Sequence, residues 1–202
     1  MQLFNLWPVP VYVDQIVVNP KWIKEVKKEK YHKHFDNSAL CSDDYYILNK
    51  LKDLKGQIQL HIQKFTYDIL KVSRETEFYI TTSWVNKHNK NDFGGSHIHS
   101  NSVLSGVYYL QNDLKGGNIV FEKVNSYNNL FTTTIMPQYS ERNIINSTSL
   151  ELNCTNGMIV LFPSLLQHYV QKNMNNKERY SIAFNVFLKG QFGDAMNIVD
   201  LK

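Results

Sequence analysis

From Glu77 onward the chain is written in short runs rich in β-branched and aromatic residues, each closed by Asn, Gly, Asp or Pro. The runs are "FYITTSWVNKH", "SVLSGVYYL", "NIVFEKV", "LFTTTIMP", "STSLELN", "GMIVLFP", "QHYVQKN" and "RYSIAFNVFL". Runs of this kind predict a sandwich or barrel, and eight of them are what a two-sheet jelly roll uses. Turn signals fall between them, in "NDLKGGN", "NCTNG" and "NMNNKER".

Upstream the period changes. Pro20 stands in the first turn of a helix expected over "PKWIKEVKKEKYHKH", with Trp22, Ile23 and Val26 as its apolar face. Ser42 or Asp43 is placed to cap a further helix. From Asp53, residues Leu54, Ile58, Ile62, Phe65, Ile69 and Val72 recur at steps of three and four, the clearest helical pattern in the chain. The expected architecture is therefore mainly β with N-terminal helices. A helical part at about 20–75 braces a jelly-roll core at about 77–188, in one domain spanning 1–202.

At 202 residues, 43% hydrophobic and 20% charged, the composition is that of a globular chain with a proper core. The net charge of +4 comes partly from Lys21 to Lys33, a stretch short enough to read as a solvated helix face, so nucleic acid is not indicated. Cys41 and Cys154 stand in no metal or CxxC spacing and read as free thiols of a reducing cytoplasm. The apolar start "MQLFNLWPVPVYV" lacks a basic n-region and is broken by Pro8 and Pro10, a poor fit to a signal peptide. No apolar run reaches the ~20 residues of a membrane span.

Two histidines, His97 and His99, precede the run "SVLSGVYYL". Alternate residues of a strand share a face, so both rings can address one ion. A sandwich can bring His168 beside them, making a facial set that leaves positions open for a co-substrate and O2, as in non-haem Fe(II) oxygenases. Arg179, opening the run after His168, carries a planar fork suited to a carboxylate; alone it also reads as a surface arginine. His32 and His34, in the lysine-rich helical stretch, read as surface residues because a two-residue step on a helix splays their rings. Ser83, Trp84 and Asn86 are candidates to line a pocket or plain strand residues.

The segments "HIHSNSVLSGVYYL" and "LFPSLLQHYVQKNMNNKERYSIAFNVF", with "LFNLWPVPVYV" and "TTSWVNKH", resemble the small 2-oxoglutarate and Fe(II)-dependent oxygenases of bacteria and marine phages. The likeness runs from Leu3 to Phe187. It implies a double-stranded β-helix, cupin-like and related to prolyl hydroxylases, that uses Fe(II), 2-oxoglutarate and O2 to hydroxylate a small-molecule or peptide substrate. It makes His97 the first metal ligand and His168 the distal one. Arg179 becomes the partner of the far carboxylate of 2-oxoglutarate, and Tyr109 matches a tyrosine that touches the same carboxylate but also reads as a core aromatic. The sequence departs from the family at position 99, where histidine replaces the usual Asp or Glu. Either His99 takes that ligand position, or His99 pairs with Asn101 and His97 stands behind. A cytoplasmic location (host cytoplasm for a phage gene) and pairing of sheet edges into a homodimer complete the expectations. The rival readings are a cupin-type metalloenzyme without 2-oxoglutarate and a non-catalytic β-sandwich module.

Overall fold

The computed structural model describes residues 1–2, 8–34, 38–113, 115–123 and 137–202. In chain order the elements are β1 (Tyr12–Gln15), α1 (Pro20–Val26), β2 (Tyr31–Lys33), β3 (Leu40–Ser42), α2 (Lys52–Gln63), β4 (Glu77–His88), β5 (Gly94–His97), β6 (Leu104–Gln111), β7 (Ile119–Glu122), β8 (Ser149–Leu152), β9 (Met158–Pro163), β10 (His168–Val170), β11 (Arg179–Phe192) and β12 (Val199–Leu201). They form two sheets. The larger has the order β1-β9-β6-β11-β4-β3-β2, with β12 also on β11, and the smaller has the order β5-β10-β7-β8. This is the double-stranded β-helix with helices on one side. Seven of the eight expected runs carry strands; "LFTTTIMP" lies outside the described residues apart from Pro137.

The helices cover the outer face of the large sheet. In α1 the Asn19 side chain accepts from the Lys21 N–H, Pro20 sits at the start, and Trp22 and Val26, one turn apart, are buried. In α2 the buried residues are Leu54, Ile58 and Ile62. The expected helical face then breaks, because Lys64–Ile69 is a π-helical turn that buries Phe65 and Thr66. The wider turn rotates Ile69 outward, to 51% exposure.

The N-terminal third is less helical than expected. "YHK" is β2, paired with β3, so His32 and His34 do not lie on a helix. Ser42 caps nothing: it belongs to β3, and its hydroxyl accepts from the Val85 N–H. Leu51, without a side-chain cap, precedes α2. Short β pairing on the edge of the large sheet overrides a lysine-rich helical pattern that had only one brief apolar face.

Strand alternation divides the large sheet's side chains between two cores. Tyr108, Leu110, Ile159, Leu161, Tyr180, Ile182 and Phe184 pack under the helices. Val107, Tyr109, Met158, Val160 and Phe162 pack between the sheets with Ile119 and Phe121 of the small one. Burial on both faces is why β6 and β9 read as unbroken apolar runs. In β4 the register with β11 skips Thr81. The skip exchanges the faces, so Phe78 and Ile80 lie on the helix side with Val85, leaving Trp84, Asn86 and His88 for the space between the sheets. Among the described residues no helix is long and apolar enough to cross a membrane.

Candidate metal and carboxylate site

A cavity of about 420 Å³ opens between the sheets, with His97, His99 and His168 in one part of its wall and Arg179 and Tyr109 also lining it. The five residues singled out from the sequence therefore share one space. His97, the last residue of β5, is directly opposite His168, the first of β10. Their ring centroids are 4.4 Å apart. His99 lies past the end of β5, where its N–H donates to the Ser164 carbonyl at 2.9 Å, and its ring stacks on His168 at 5.2 Å. The pair thus meets through a strand end and a loop anchor, not through strand alternation alone.

One ligand atom from each histidine falls within a 4.8 Å set. Asn101 is exposed and sits at φ 55° in the turn after His99.

The ring protons are arranged for metal binding. His97 Nδ1 donates to the Gly95 carbonyl at 2.7 Å and His168 Nδ1 to the Leu166 carbonyl at 2.8 Å. A carbonyl only accepts, so each Nε2 keeps its lone pair for the space between the rings. His99 is hydrogen-bonded to the Asn185 side chain, itself held by Ser105 Oγ at 3.0 Å and Thr82 Oγ1 at 3.3 Å. Burial, reinforced by the His97 charge, pushes His99 down to about 4. Burial also pushes His168 to about 3, against the pull of its Leu166 hydrogen bond. Both rings stay neutral, the form that binds a cation.

This neutrality has a measurable consequence. In the unfolded chain these histidines, with His88, take up protons near pH 6.5, whereas in the fold their values lie lower. The stability they contribute is complete above about 6.5 and is lost as pH falls toward 4. The melting temperature of metal-free protein is expected to drop by on the order of 10 °C between pH 7 and 4.5, and a His99→Gln, His168→Gln double variant should show a visibly smaller drop. Equal slopes in the two proteins would refute this account.

Arg179 supplies the opposite kind of group. It is 2% exposed. Its Nη1 donates to the carbonyls of Gly116 and Gly117 at 3.3 and 3.1 Å, and Nη2 donates to the His88 ring. Gly117, at φ +88°, makes the turn that presents those carbonyls. Arg179 Nε has no acceptor, and no carboxylate pairs with Arg179 among the described residues. A buried guanidinium without an anion is costly, and a ligand carboxylate would remove that cost. The Tyr109 ring lies 6.0 Å from Arg179 Cζ. Its hydroxyl is hydrogen-bonded to Cys154, and burial raises its pKa well above the usual value, so it stays a neutral phenol.

Along β11 the cavity face reads Arg179, Ser181, Ala183, with Trp84, Asn86 and His88 of β4 opposite them in reverse order. Small residues between Arg179 and the histidines leave room for an extended chain. Trp84 and Asn86 line the cavity; Ser83 does not, since its hydroxyl accepts from the Leu48 N–H on the helix side. His34 is no bystander: it lines the cavity and bonds Asn86 at 3.2 Å. His88 and Asn185 were not anticipated. Period-two reading back from Arg179's partner strand, and forward along β11, would have found both.

The donor set fits a divalent cation at three imidazoles and a carboxylate at Arg179. Residues 82–185 match the family model of 2OG-Fe(II) oxygenases. A search of curated protein sequences finds no match. Among solved structures the chain resembles a 2OG-Fe(II) oxygenase family oxidoreductase from Burkholderia pseudomallei at 16% identity and TM-score 0.55, covering 81% of this chain and 75% of that one. It also resembles a Pseudomonas putida prolyl-4-hydroxylase at 12% identity and TM-score 0.52, covering 88% of this chain and 92% of that one. A third is HygX from Streptomyces hygroscopicus, solved with nickel and 2-oxoglutarate, at 10% identity and TM-score 0.56, covering 88% and 82%. By the family model over half its length, with the fold and the histidine cluster in agreement, the chain belongs to the 2OG-Fe(II) oxygenases, whose cofactors are Fe(II) and 2-oxoglutarate.

Proposed function

We propose that the protein couples oxidation of 2-oxoglutarate to succinate and CO2 with hydroxylation of a small-molecule or peptide substrate. His97, His99 and His168 hold the Fe(II), and Arg179 takes the far carboxylate of 2-oxoglutarate. The observation that carries this reading is the pairing, in one cavity, of three convergent histidines with a buried arginine that has no anionic partner among the described residues. Fe(II) with 2-oxoglutarate and O2, when bound, supplies the oxidising chemistry.

The chain's own residues do the placing. Backbone carbonyls at Gly95 and Leu166, and the Asn185 side chain, orient the three rings as ligands. Arg179 sets the direction of the dicarboxylate, and the Tyr109 ring flanks that end of the cavity. Ser181 and Ala183 form the floor beneath its carbon chain. The wall formed by Trp84, Asn86 and His34 is left for the substrate to be oxidised. Trp84 Nε1 and His34 Nε2 both meet Asn86 Oδ1, at 3.1 and 3.2 Å, which turns the amide N–H groups of Asn86 away from them.

Three histidine ligands also suit a metalloenzyme that oxidises its substrate without 2-oxoglutarate. The uncompensated Arg179 charge favours the first reading, because 2-oxoglutarate brings a second carboxylate to meet it. Protein loaded with Fe(II) under anaerobic conditions and then exposed to O2 is expected to form succinate from 2-oxoglutarate, in low turnover until substrate is added. Absence of both 2-oxoglutarate binding and succinate would sink the proposal.

A further inference from the structure

Arg179 is held by groups that carry no negative charge. Both Nη1 protons are accounted for by the Gly116 and Gly117 carbonyls. Nη2 is directed at the His88 ring, 3.1 Å from Nδ1 and 3.3 Å from Nε2. Nε–H has no acceptor among the described residues.

His88 packs on the same guanidinium. It is 3% exposed and sits directly opposite Arg179 in the β4–β11 register. The buried Asn173 side chain fixes the backbone here, donating to the carbonyls of His88 at 3.0 Å and Lys177 at 2.9 Å. The imidazole is also hydrogen-bonded to the Phe93 backbone. Both of its nitrogens lie within 3.3 Å of Arg179 Nη2, so the ring is packed on the guanidinium. Burial, then the charges of Arg179 and His34, hold the ring well below its usual pKa, so it is uncharged. A carboxylate in this place would orient Arg179 equally well but would cancel its charge. A neutral acceptor orients the guanidinium and leaves the charge for a ligand.

The structure assigns His88 as the positioning residue of a dicarboxylate site: it holds Arg179 in place without neutralising it, so that the guanidinium keeps its charge for the carboxylate farthest from the metal. The assignment rests on the proposed reading of Arg179 as the 2-oxoglutarate anchor, and adds the residue that sets its selectivity.

The test uses the whole protein loaded with Mn(II) and two probes titrated calorimetrically. These are 2-oxoglutarate and 2-oxopentanoate, the same five-carbon chain ending in a methyl group. Wild type is expected to prefer 2-oxoglutarate by roughly a hundredfold. His88→Leu should lose about tenfold in 2-oxoglutarate affinity while its 2-oxopentanoate and Mn(II) affinities stay unchanged. His88→Gln and His88→Glu have the same shape and separate orientation from charge. Gln, an uncharged acceptor, should stay within about threefold of wild type, whereas Glu should lose about tenfold by neutralising Arg179. The assignment is overturned if Gln and Glu behave alike, or if the variants weaken both probes equally, as a merely structural role requires. Wild type that shows no preference between the probes overturns the Arg179 reading instead.

Discussion

Replacing His168 by alanine is expected to abolish succinate formation and weaken Fe(II) or Mn(II) binding by roughly a hundredfold or more, since loss of even an outer-shell partner costs ten- to a hundredfold. The reason is geometric. His168 lies directly opposite His97 and is stacked against His99, so it touches both other members of the cluster. Its removal leaves a pair with no third donor among the described His, Cys, Asp and Glu side chains near enough to complete it. Metal titration by calorimetry, with folding followed by near-UV circular dichroism, separates ligand loss from unfolding. Asn101→Ala and His32→Ala serve as controls. Asn101 is exposed, and His32 is on β2 with its ring on Asp43, so both variants should bind metal as wild type does. Loss of metal binding in Asn101→Ala would instead favour a ligand set built on His99 and Asn101.

Arg179→Met should produce the complementary defect. The KM for 2-oxoglutarate is expected to rise by a factor of about 100 or more, from loss of a buried charged hydrogen-bond pair worth roughly 2–5 kcal/mol, with metal affinity within about twofold of wild type. Arg179→Lys should recover little, because a single ammonium cannot reproduce the planar set of guanidinium donors. The two variants together divide the cavity into a metal end and a carboxylate end. A protein in which Arg179→Met turns over 2-oxoglutarate with an unchanged KM would not use this arginine as its anchor.

Most of the small sheet and the centre of the large one were legible from period and punctuation. β6, β9 and β11 are buried on both faces, so they carry long apolar runs that leave little choice of structure. The edges of the large sheet were not legible. β2 and β3 are three residues each, too short to show alternation, and a lysine-rich segment beside Trp22, Ile23 and Val26 has the look of a helix until a neighbouring strand pairs with it. Likewise Ile69 belongs to the apolar period of α2 but leaves the core, because the π turn at Lys64–Ile69 changes the angle per residue. Ser83 and Trp84 lie on opposite faces, but counting from Phe78 or Ile80 assigns the wrong one to the cavity, since the skipped residue Thr81 resets the parity.

What the amino-acid order determined on its own was the inventory and its spacing: an H-x-H pair before an apolar run, a distal histidine, an arginine eleven residues later. Those are local facts of covalent order, and they limit the chemistry to a cation and an anion binder. Only the tertiary structure decided that these groups share one cavity and in what state they stand there. Cross-strand register places His97 on His168, and two carbonyls and an asparagine select the tautomers. Burial keeps His99 and His168 neutral while Arg179 has no anionic partner among the described residues, because desolvation and hydrogen-bond geometry depend on neighbours that the chain brings together across more than 60 residues, as Gly116 meets Arg179.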